Sequence, residues 1–465
     1  MKIFNYRAIC ILISLSSLGC SVGPAYQAPR ILSPSPAGSQ DVRDYLAETT
    51  ASWAAQIAPD LEQALSRVAA NNNTIKIATA NLDEANARFR AARGALLPTI
   101  AINGAGNSTD IAGVSGERYQ GGAQLGWEID VWGRIRKGLD AAKADAIAVR
   151  ETLRGVRLSA MTEFVEGYFL LIGLKESLDI SQQALALRER ALELQQARYD
   201  AGAISLLDLK QAQAARDSVA ARIPETRARI ADAEAGLLTL IGSTEKTTLP
   251  TRRKISEVVF KLPEIRSSIN ALRERPDVAV AEARAFGAED RAAEAFRGLL
   301  PRISFDGVLN YDSDEFGSWI EKATRFWSLG GSAAWTAFKG GALWENYRAA
   351  EAREQAAMFS YAGTVIAAAN EIQAARQRLA AGRSESQLRA EELRSLGDAL
   401  QTAKLLYSEG RVAYLNVLDT ERDALNSELL LVSSYVEQAR RYVGLQRAIG
   451  VPPIADGRRG AFLID

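Results

Sequence analysis

Residues able to do covalent chemistry are scarce in this chain, and the reactive ones sit at one end. Among 465 residues there is no histidine, and the only cysteines are Cys10 and Cys20. Imidazole general-base catalysis, Ser-His-Asp or Cys-His nucleophile pairs and His-ligated metals have nothing to build on. Two thiols at the N-terminus cannot make a disulfide framework, a Cys-rich zinc site or an iron–sulfur cluster in the body of the chain. No GxxxxGK[ST] phosphate loop is present, and Gly340-Gly341 fits a helix entry instead. Arg252-Arg253-Lys254 is a short basic run of the kind water solvates, and Asn107-Ser108-Thr109 has the form of a glycan acceptor. Lys and Arg total 56 against 56 Asp and Glu, so no basic field exists to hold nucleic acid. The residue inventory argues against an enzyme and requires no cofactor and no metal.

The chemistry left is acylation of Cys20. Lys2 and Arg7 form a basic start, Ile9–Leu15 is an apolar run, and Ser17-Leu18-Gly19-Cys20 closes it. That is the three-part layout of a secretory signal, too short to span a membrane as a mature helix. Cleavage before Cys20 resembles processing at a bacterial lipobox, with Ser17 where Leu, Val or Ile is usual. Acyl chains there would hold the protein to a bilayer at roughly 0.8 kcal/mol per buried methylene. Ser21, in place of Asp, fits sorting to the outer membrane. Pro24, Pro29, Pro34 and Pro36 then predict an extended tether.

The elements behind this leader come twice. Arg93-Gly94-Ala95-Leu96-Leu97-Pro98 returns as Arg297-Gly298-Leu299-Leu300-Pro301, and Trp127 with Gly133 returns as Trp335 with Gly341. Tyr199-x-x-Gly202 returns as Tyr407-x-x-Gly410, after which Leu207, Asp208 and Leu209 align with Leu415, Asn416 and Val417. The offset is about 203 early, 204 at the Arg-Gly pair and 203 at the Leu-Pro pair, and about 208 later. Several matches in one order mean a tandem duplication. The expected organisation is a signal over 1–19, a lipidated tether over 20–57, a first repeat over 58–250, a second over 251–450 and a tail over 451–465. The first repeat would hold strands at about 99–108 and 118–130 and long helices at 133–200 and 204–240. The second would hold strands at about 302–312 and 325–338 and helices at 341–409 and 413–449. Residues 134–200 and 342–408 contain no proline and are rich in good helix formers. Each would be roughly 100 Å long at ~1.5 Å per residue. Helices of that length need partners throughout, so antiparallel coiled coil is expected, with a kink at Pro224.

Four short segments alternate with period two. Tyr119, Ala123, Leu125, Trp127 and Ile129 share one face; so do Trp327, Leu329, Ala333 and Trp335; so do Ile303, Phe305, Leu309 and Tyr311; so do Ile100 and Ile102. Tyr119 and Trp127, like Trp327 and Trp335, are eight residues apart, which is roughly 20 Å of rise in a tilted strand. That matches an aromatic girdle at each edge of a membrane barrel, and equally a soluble sheet with one buried face. The outer-membrane leader favours the membrane. Four strands cannot close a barrel, and open edges are not tolerated in lipid. A trimer would give twelve strands and a wide interior; a dimer would give eight and a nearly filled one.

Gly19-Cys20-Ser21-Val22-Gly23-Pro24-Ala25-Tyr26 resembles the start of lipidated outer-membrane efflux factors, the NodT-like branch of the TolC family. Glu128–Arg134 and Ala334–Gly341 resemble that family's two strand-to-helix junctions, and Arg275-Pro276-Asp277-Val278 its helix entry in the second half. The resemblance implies a mainly α fold with a membrane β-barrel: tandem-duplicated coiled-coil helices plus four transmembrane strands per chain. A homotrimer would form a twelve-stranded barrel in the outer-membrane bilayer and an α-helical periplasmic tunnel. The implied partners are a periplasmic adaptor (membrane fusion) protein and an inner-membrane RND-type transporter. The implied function is a passive exit duct for small molecules such as drugs.

By the same resemblance Gly202 and Gly410 mark the periplasmic tip where adaptors dock. Asp208 and Tyr407 would tie the closed tip. Three copies of Asp419 would ring the constriction, Asn416 taking the family's other acidic position, and Arg422 would soften the field. Such a ring attracts cations and repels anions. Two other readings compete: the exit duct of a type I protein secretion system, and a non-conducting lipoprotein scaffold that bridges envelope layers. The strand alternation favours a duct over a scaffold.

Overall fold

The computed structural model describes residues 59–112, 114–245, 254–258, 272, 275–318 and 320–454. The signal, Cys20, the tether, Arg252-Arg253 and the tail beyond 454 lie outside the described residues. In chain order the elements are α1 (Pro59–Asn71), α2 (Asn73–Gly94), β1 (Thr99–Ile111), β2 (Val114–Ile129), α3 (Arg134–Asp200), α4 (Leu206–Ile241), α5 (Pro276–Arg297), β3 (Arg302–Ser313), β4 (Arg325–Ala334), α6 (Ala342–Ser408) and α7 (Tyr414–Ala448). Helices α3 and α6 are both 67 residues long. Each starts after a glycine that no side-chain-bearing residue would replace easily: Gly133 has φ +75° and Gly341 +79°. Pro224 lies inside α4 without ending it. Among the described residues no helix is long and apolar enough to cross a membrane.

Two compact units are distinguished. The first comprises Ala80–Glu151 and Ala279–Thr364. Its centre is one antiparallel sheet in the order β1-β2-β3-β4, so β1 and β4 are free edges. Register pairs Ile102 with Ala123, Ala123 with Leu309, and Leu309 with Trp327. Directly opposed residues share a face. The apolar sets of all four segments therefore fall on one side. The expected strand ends differ in two places. The β1–β2 hairpin pairs up to Ile111 with Val114, well beyond the expected 108 and 118. Residues 108–117 carry no apolar alternation to reveal it, because Ile111 and Val114 are the only apolar residues larger than alanine among them. At the other end β4 stops at Ala334, short of the expected 338, because its partner strand begins at Arg302 and Pro301 has no N–H to donate.

The second unit takes in Thr152–Val278, Val365–Asp465 and the described part of Pro34–Thr79. Phe164, Val165, Phe169 and Leu171 of α3 are fully buried. Gly167 and Gly173 let α3 approach closely, since a Cβ at the first would press on Leu237 of α4 and at the second on Val436 of α7. Asn72, between α1 and α2, joins three elements: its Nδ2 donates to the Leu240 carbonyl at 2.9 Å and its Oδ1 accepts from the Ile75 N–H at 3.1 Å. Arg275 is 6% exposed and gathers the entry of α5, donating to Asp277 at 2.8 Å, to Glu371 at 2.6 Å and to the Ala448 carbonyl that ends α7. Burial opposes ionisation of Asp277, yet the Arg275 guanidinium wins and holds that carboxyl below its usual range.

Candidate functional site

The sheet presents two chemically different faces. On the apolar face Ile102 is 86%, Trp327 66% and Leu329 59% exposed, so nothing among the described residues covers it. A monomeric soluble protein rarely leaves such a contiguous patch bare. The opposite face is hydrogen-bonded and hydrophilic. Ser304 and Ser332 hydroxyls bond at 2.9 Å, Ser332 donates to Asp306 at 3.3 Å, and Asp312 accepts from Gln120 at 3.2 Å and pairs with Arg118. Phe326, beside Asn310, Val308, beside Ser328, and by register the Ile111–Val114 pair are apolar exceptions on this side.

The four aromatics expected at the membrane edges are placed as follows. The Trp127 indole donates to the Leu96 carbonyl and the Trp335 indole to the Leu299 carbonyl, both at 3.0 Å. These are equivalent bonds in the two repeats, each fastening the lower end of a strand to the Leu-Pro turn before its neighbour. An indole with an apolar body and a satisfied N–H suits a membrane edge. Tyr119 donates to Glu117 at 2.8 Å and meets Phe316 edge-on at 5.3 Å. Trp327 stands opposite Leu309, and Trp335 lies one residue past the end of β4.

The first strand-to-helix junction is tightly held. Asp130 accepts from the backbone N–H of Ile135 at 3.0 Å and of Arg136 at 2.9 Å, and so caps α3. Trp132 donates to the Pro301 carbonyl at 2.7 Å, and Arg297 to the Gly133 carbonyl at 2.9 Å. At the second junction the residues equivalent to Asp130 and Trp132 are Phe338 and Gly340, which supply neither a cap nor a donor.

The tip turns repeat one geometry. Gly202 has φ +74° and Gly410 +71°. After α3 the Ala203 N–H returns to the Arg198 carbonyl at 2.8 Å; after α6 the Arg411 N–H returns to Leu406 at 2.9 Å. The entries then diverge. Ser205 and Asp208 form a reciprocal capping box on α4, whereas α7 starts at Ala413 with no side-chain cap and Asn416 is exposed.

The structure does not bring Asp208 and Tyr407 together within the chain. The Asp208 carboxylate is engaged by Ser205, while the Tyr407 hydroxyl accepts from Arg198 Nη1 at 3.0 Å. The Arg198 guanidinium also lies 5.8 Å from the centre of the Tyr407 ring, and Tyr407 packs on Tyr414 at 5.3 Å. Tyr414, Val417 and Leu418 of α7 form a small core with Ala212 of α4. Burial, helped by Glu421, pushes the Tyr414 hydroxyl up from its ordinary pKa. Glu421 itself bridges Lys404 at 3.0 Å and Arg188 at 3.5 Å, tying α6 and α3 to α7. Asp419 is half-exposed and pairs with Arg422 at 3.2 Å, and Arg422 also reaches Asp423 at 3.3 Å. Arg198 was not legible as a partner: its equivalent in the second repeat is Leu406, so no repeated motif marks it.

Among the described residues no cluster of potential ligands could hold a metal. The model of the outer membrane efflux protein family matches residues 64–243 and 268–451. The chain belongs to that family. It is an outer-membrane efflux channel protein and not an enzyme. It is 28% identical over 467 residues to outer membrane protein OprJ of Pseudomonas aeruginosa, covering 95% of this chain and 94% of that one. It is 25% identical over 456 residues to the cation efflux system protein CusC of Escherichia coli, covering 95% and 98%. The solved outer-membrane channel OprN superposes with a TM-score of 0.82 at 27% identity, over 93% of this chain and 100% of that one. The open state of the MtrE channel of Neisseria gonorrhoeae shares the fold, with a TM-score of 0.81 over 94% and 99% of the two chains.

Proposed function

We propose that three copies of this chain close a twelve-stranded barrel in the outer membrane and serve as the passive exit duct of a tripartite efflux pump. The observation that carries the reading is a four-stranded sheet with one bare apolar face, one polar face and two unpaired edges. In lipid such edges must be paired, and only further copies of the sheet supply the same pattern of faces. Twelve strands enclose water, and the polar face then lines it. Acylation of Cys20 adds a second membrane attachment. A periplasmic adaptor docks around the turns at Gly202 and Gly410, and an inner-membrane RND-type transporter selects the cargo. The duct meets a cargo mainly by its size and charge.

At the tip, three copies of Asp419 set the charge of the narrowest passage, with Arg422 reducing it through its pairing with Asp419. Planar-bilayer conductance of the purified full-length protein, with its mass measured on the same sample, tests the proposal. A trimer with discrete, cation-preferring steps, and a weaker preference in Asp419→Ala, is expected. A monomer that never conducts overturns it.

A further inference from the structure

Each repeat contributes one hairpin and one helix entry, but among the described residues only the first entry is covered. The second repeat's β3 and α5 lie on the first repeat's β2 and the start of α3. Among the described residues nothing lies in the same way on β4 and the start of α6, where α5 contributes Phe296 against Tyr347 at 5.4 Å. We propose that the first repeat of a neighbouring copy covers them with the same contacts: its β1 pairs with β4 in one defined register, and its Arg93 caps the Gly341 carbonyl. This inference rests on the trimeric reading above and specifies its joints.

The duplication supplies the coordinates. β2 maps onto β4 with an offset of 208, as Trp127 maps onto Trp335, and β3 maps onto β1 with an offset of 203, as Pro301 maps onto Pro98. The observed pairs Trp127–Phe305, Ala123–Leu309 and Tyr119–Ser313 then become Trp335 opposite the neighbour's Ile102, Gly331 opposite its Gly106, and Trp327 opposite its Asp110. The parity is right, since Ile102 and Trp327 already lie on the same apolar face. The register also gives Trp335, Thr336 and Ala337 a partner strand, which β3 cannot do because it starts at Arg302.

The cap has its own observations. In the covered junction Arg297 donates to the Gly133 carbonyl at 2.9 Å, and a Cβ on Gly133 would sit 2.7 Å from that guanidinium. The equivalent of Arg297 is Arg93, which is exposed and has no side-chain partner among the described residues. The equivalent of Gly133 is Gly341, with the same positive φ and nothing within 4 Å of the Cβ position. One donor and one vacant slot are thus left over in each copy.

In the covered junction Lys137 of α3 bonds Asp290 of α5 at 2.7 Å, and Arg134 meets Glu294 at 3.5 Å. Their equivalents are Glu345 with Asn86 and Ala342 with Arg90, so neither ion pair is repeated at the second junction. Phe338 and Trp344, 84% and 51% exposed, flank the uncovered slot.

The test is disulfide formation in outer membranes of cells producing the full chain. Gly331→Cys with Gly106→Cys, and Ser332→Cys with Ala105→Cys, should give covalent trimers on mild oxidation. Gly331→Cys with Gly104→Cys, shifted by two residues, should not. The parent chain sets the background from Cys20. Arg93→Ala should lower the temperature at which the trimer dissociates, and Arg93→Lys should recover part of the loss. A trimer by native mass that cross-links only at the shifted pair, or at none, overturns the register. An Arg93→Ala trimer as heat-resistant as the parent overturns the cap. A monomer by native mass would instead overturn the channel reading itself.

Discussion

The bond between Arg198 and Tyr407 makes a sharp prediction about the closed tip. On the proposed duct reading, opening the tip separates α6 and α7 from α3, and one contact between α3 and the end of α6 is a guanidinium on a phenol at 3.0 Å. A hydrogen bond to a charged group contributes about 1.5 kcal/mol, somewhat less where water competes. Tyr407→Phe removes that bond while keeping the ring over which Arg198 lies at 5.8 Å and which packs on Tyr414 at 5.3 Å. The loss is about 1 kcal/mol per copy. If three copies open together, that is about 3 kcal/mol, a shift of roughly 100-fold in the opening equilibrium. Open probability in planar bilayers should rise accordingly. Asp208→Ala should leave it unchanged, since Asp208 works with Ser205 to cap α4 and costs about 1 kcal/mol of local helix stability when lost. The reverse outcome, a silent Tyr407→Phe and a leaky Asp208→Ala, would refute the assignment of the tie to Arg198.

Further outcomes follow from other parts of the molecule. Arg275→Met should destabilise the chain by about 3 kcal/mol in denaturant titration, because Arg275 is buried and holds three partners. The effect depends on pH. Asp277 has a lowered pKa in the folded chain, so its share of stability is present above the unfolded value near ~3.9 and is lost as pH falls through the folded value. The variant should therefore show a flatter loss of stability below about pH 4. Phe169→Ala should cost about 3–5 kcal/mol, since the ring is fully buried, and unfolding monitored by circular dichroism reads it directly. Gly410→Ala forces a side chain into φ +71° and should cost about 1 kcal/mol in the same assay. Cys20→Ser should abolish incorporation of radiolabelled fatty acid, and unchanged labelling would rule out acylation at that residue.

Much of the fold was legible because the chain says everything twice. Paired Leu-Pro, Trp and Gly markers revealed the duplication, and alternation placed Tyr119, Trp127 and Leu309 on the face where the register puts them. What escaped has physical causes. Around Ile111 and Val114 the hairpin end holds only polar or small residues, so no alternation marks its extent. β4 ends at Ala334 because its partner β3 begins at Arg302, so alternation at Trp335 and Ala337 outran the pairing. The Tyr407 partner depended on which of several polar groups a helix rotation presents, and Arg198, a lone arginine without a repeat equivalent, won over Asp208. Sequence shows which residues are polar at a tip; it does not show which pairs close.

In the channel the sheet spans a membrane with one face to lipid and the other to water. Leu309 and Asn310 are neighbours on β3 and point to opposite faces. Substituted singly by cysteine, they can be probed in intact outer membranes with a charged, membrane-impermeant thiol reagent. Ready labelling at Asn310→Cys and protection at Leu309→Cys are expected. Equal labelling of both, or protection at Asn310→Cys with labelling at Leu309→Cys, would contradict that arrangement.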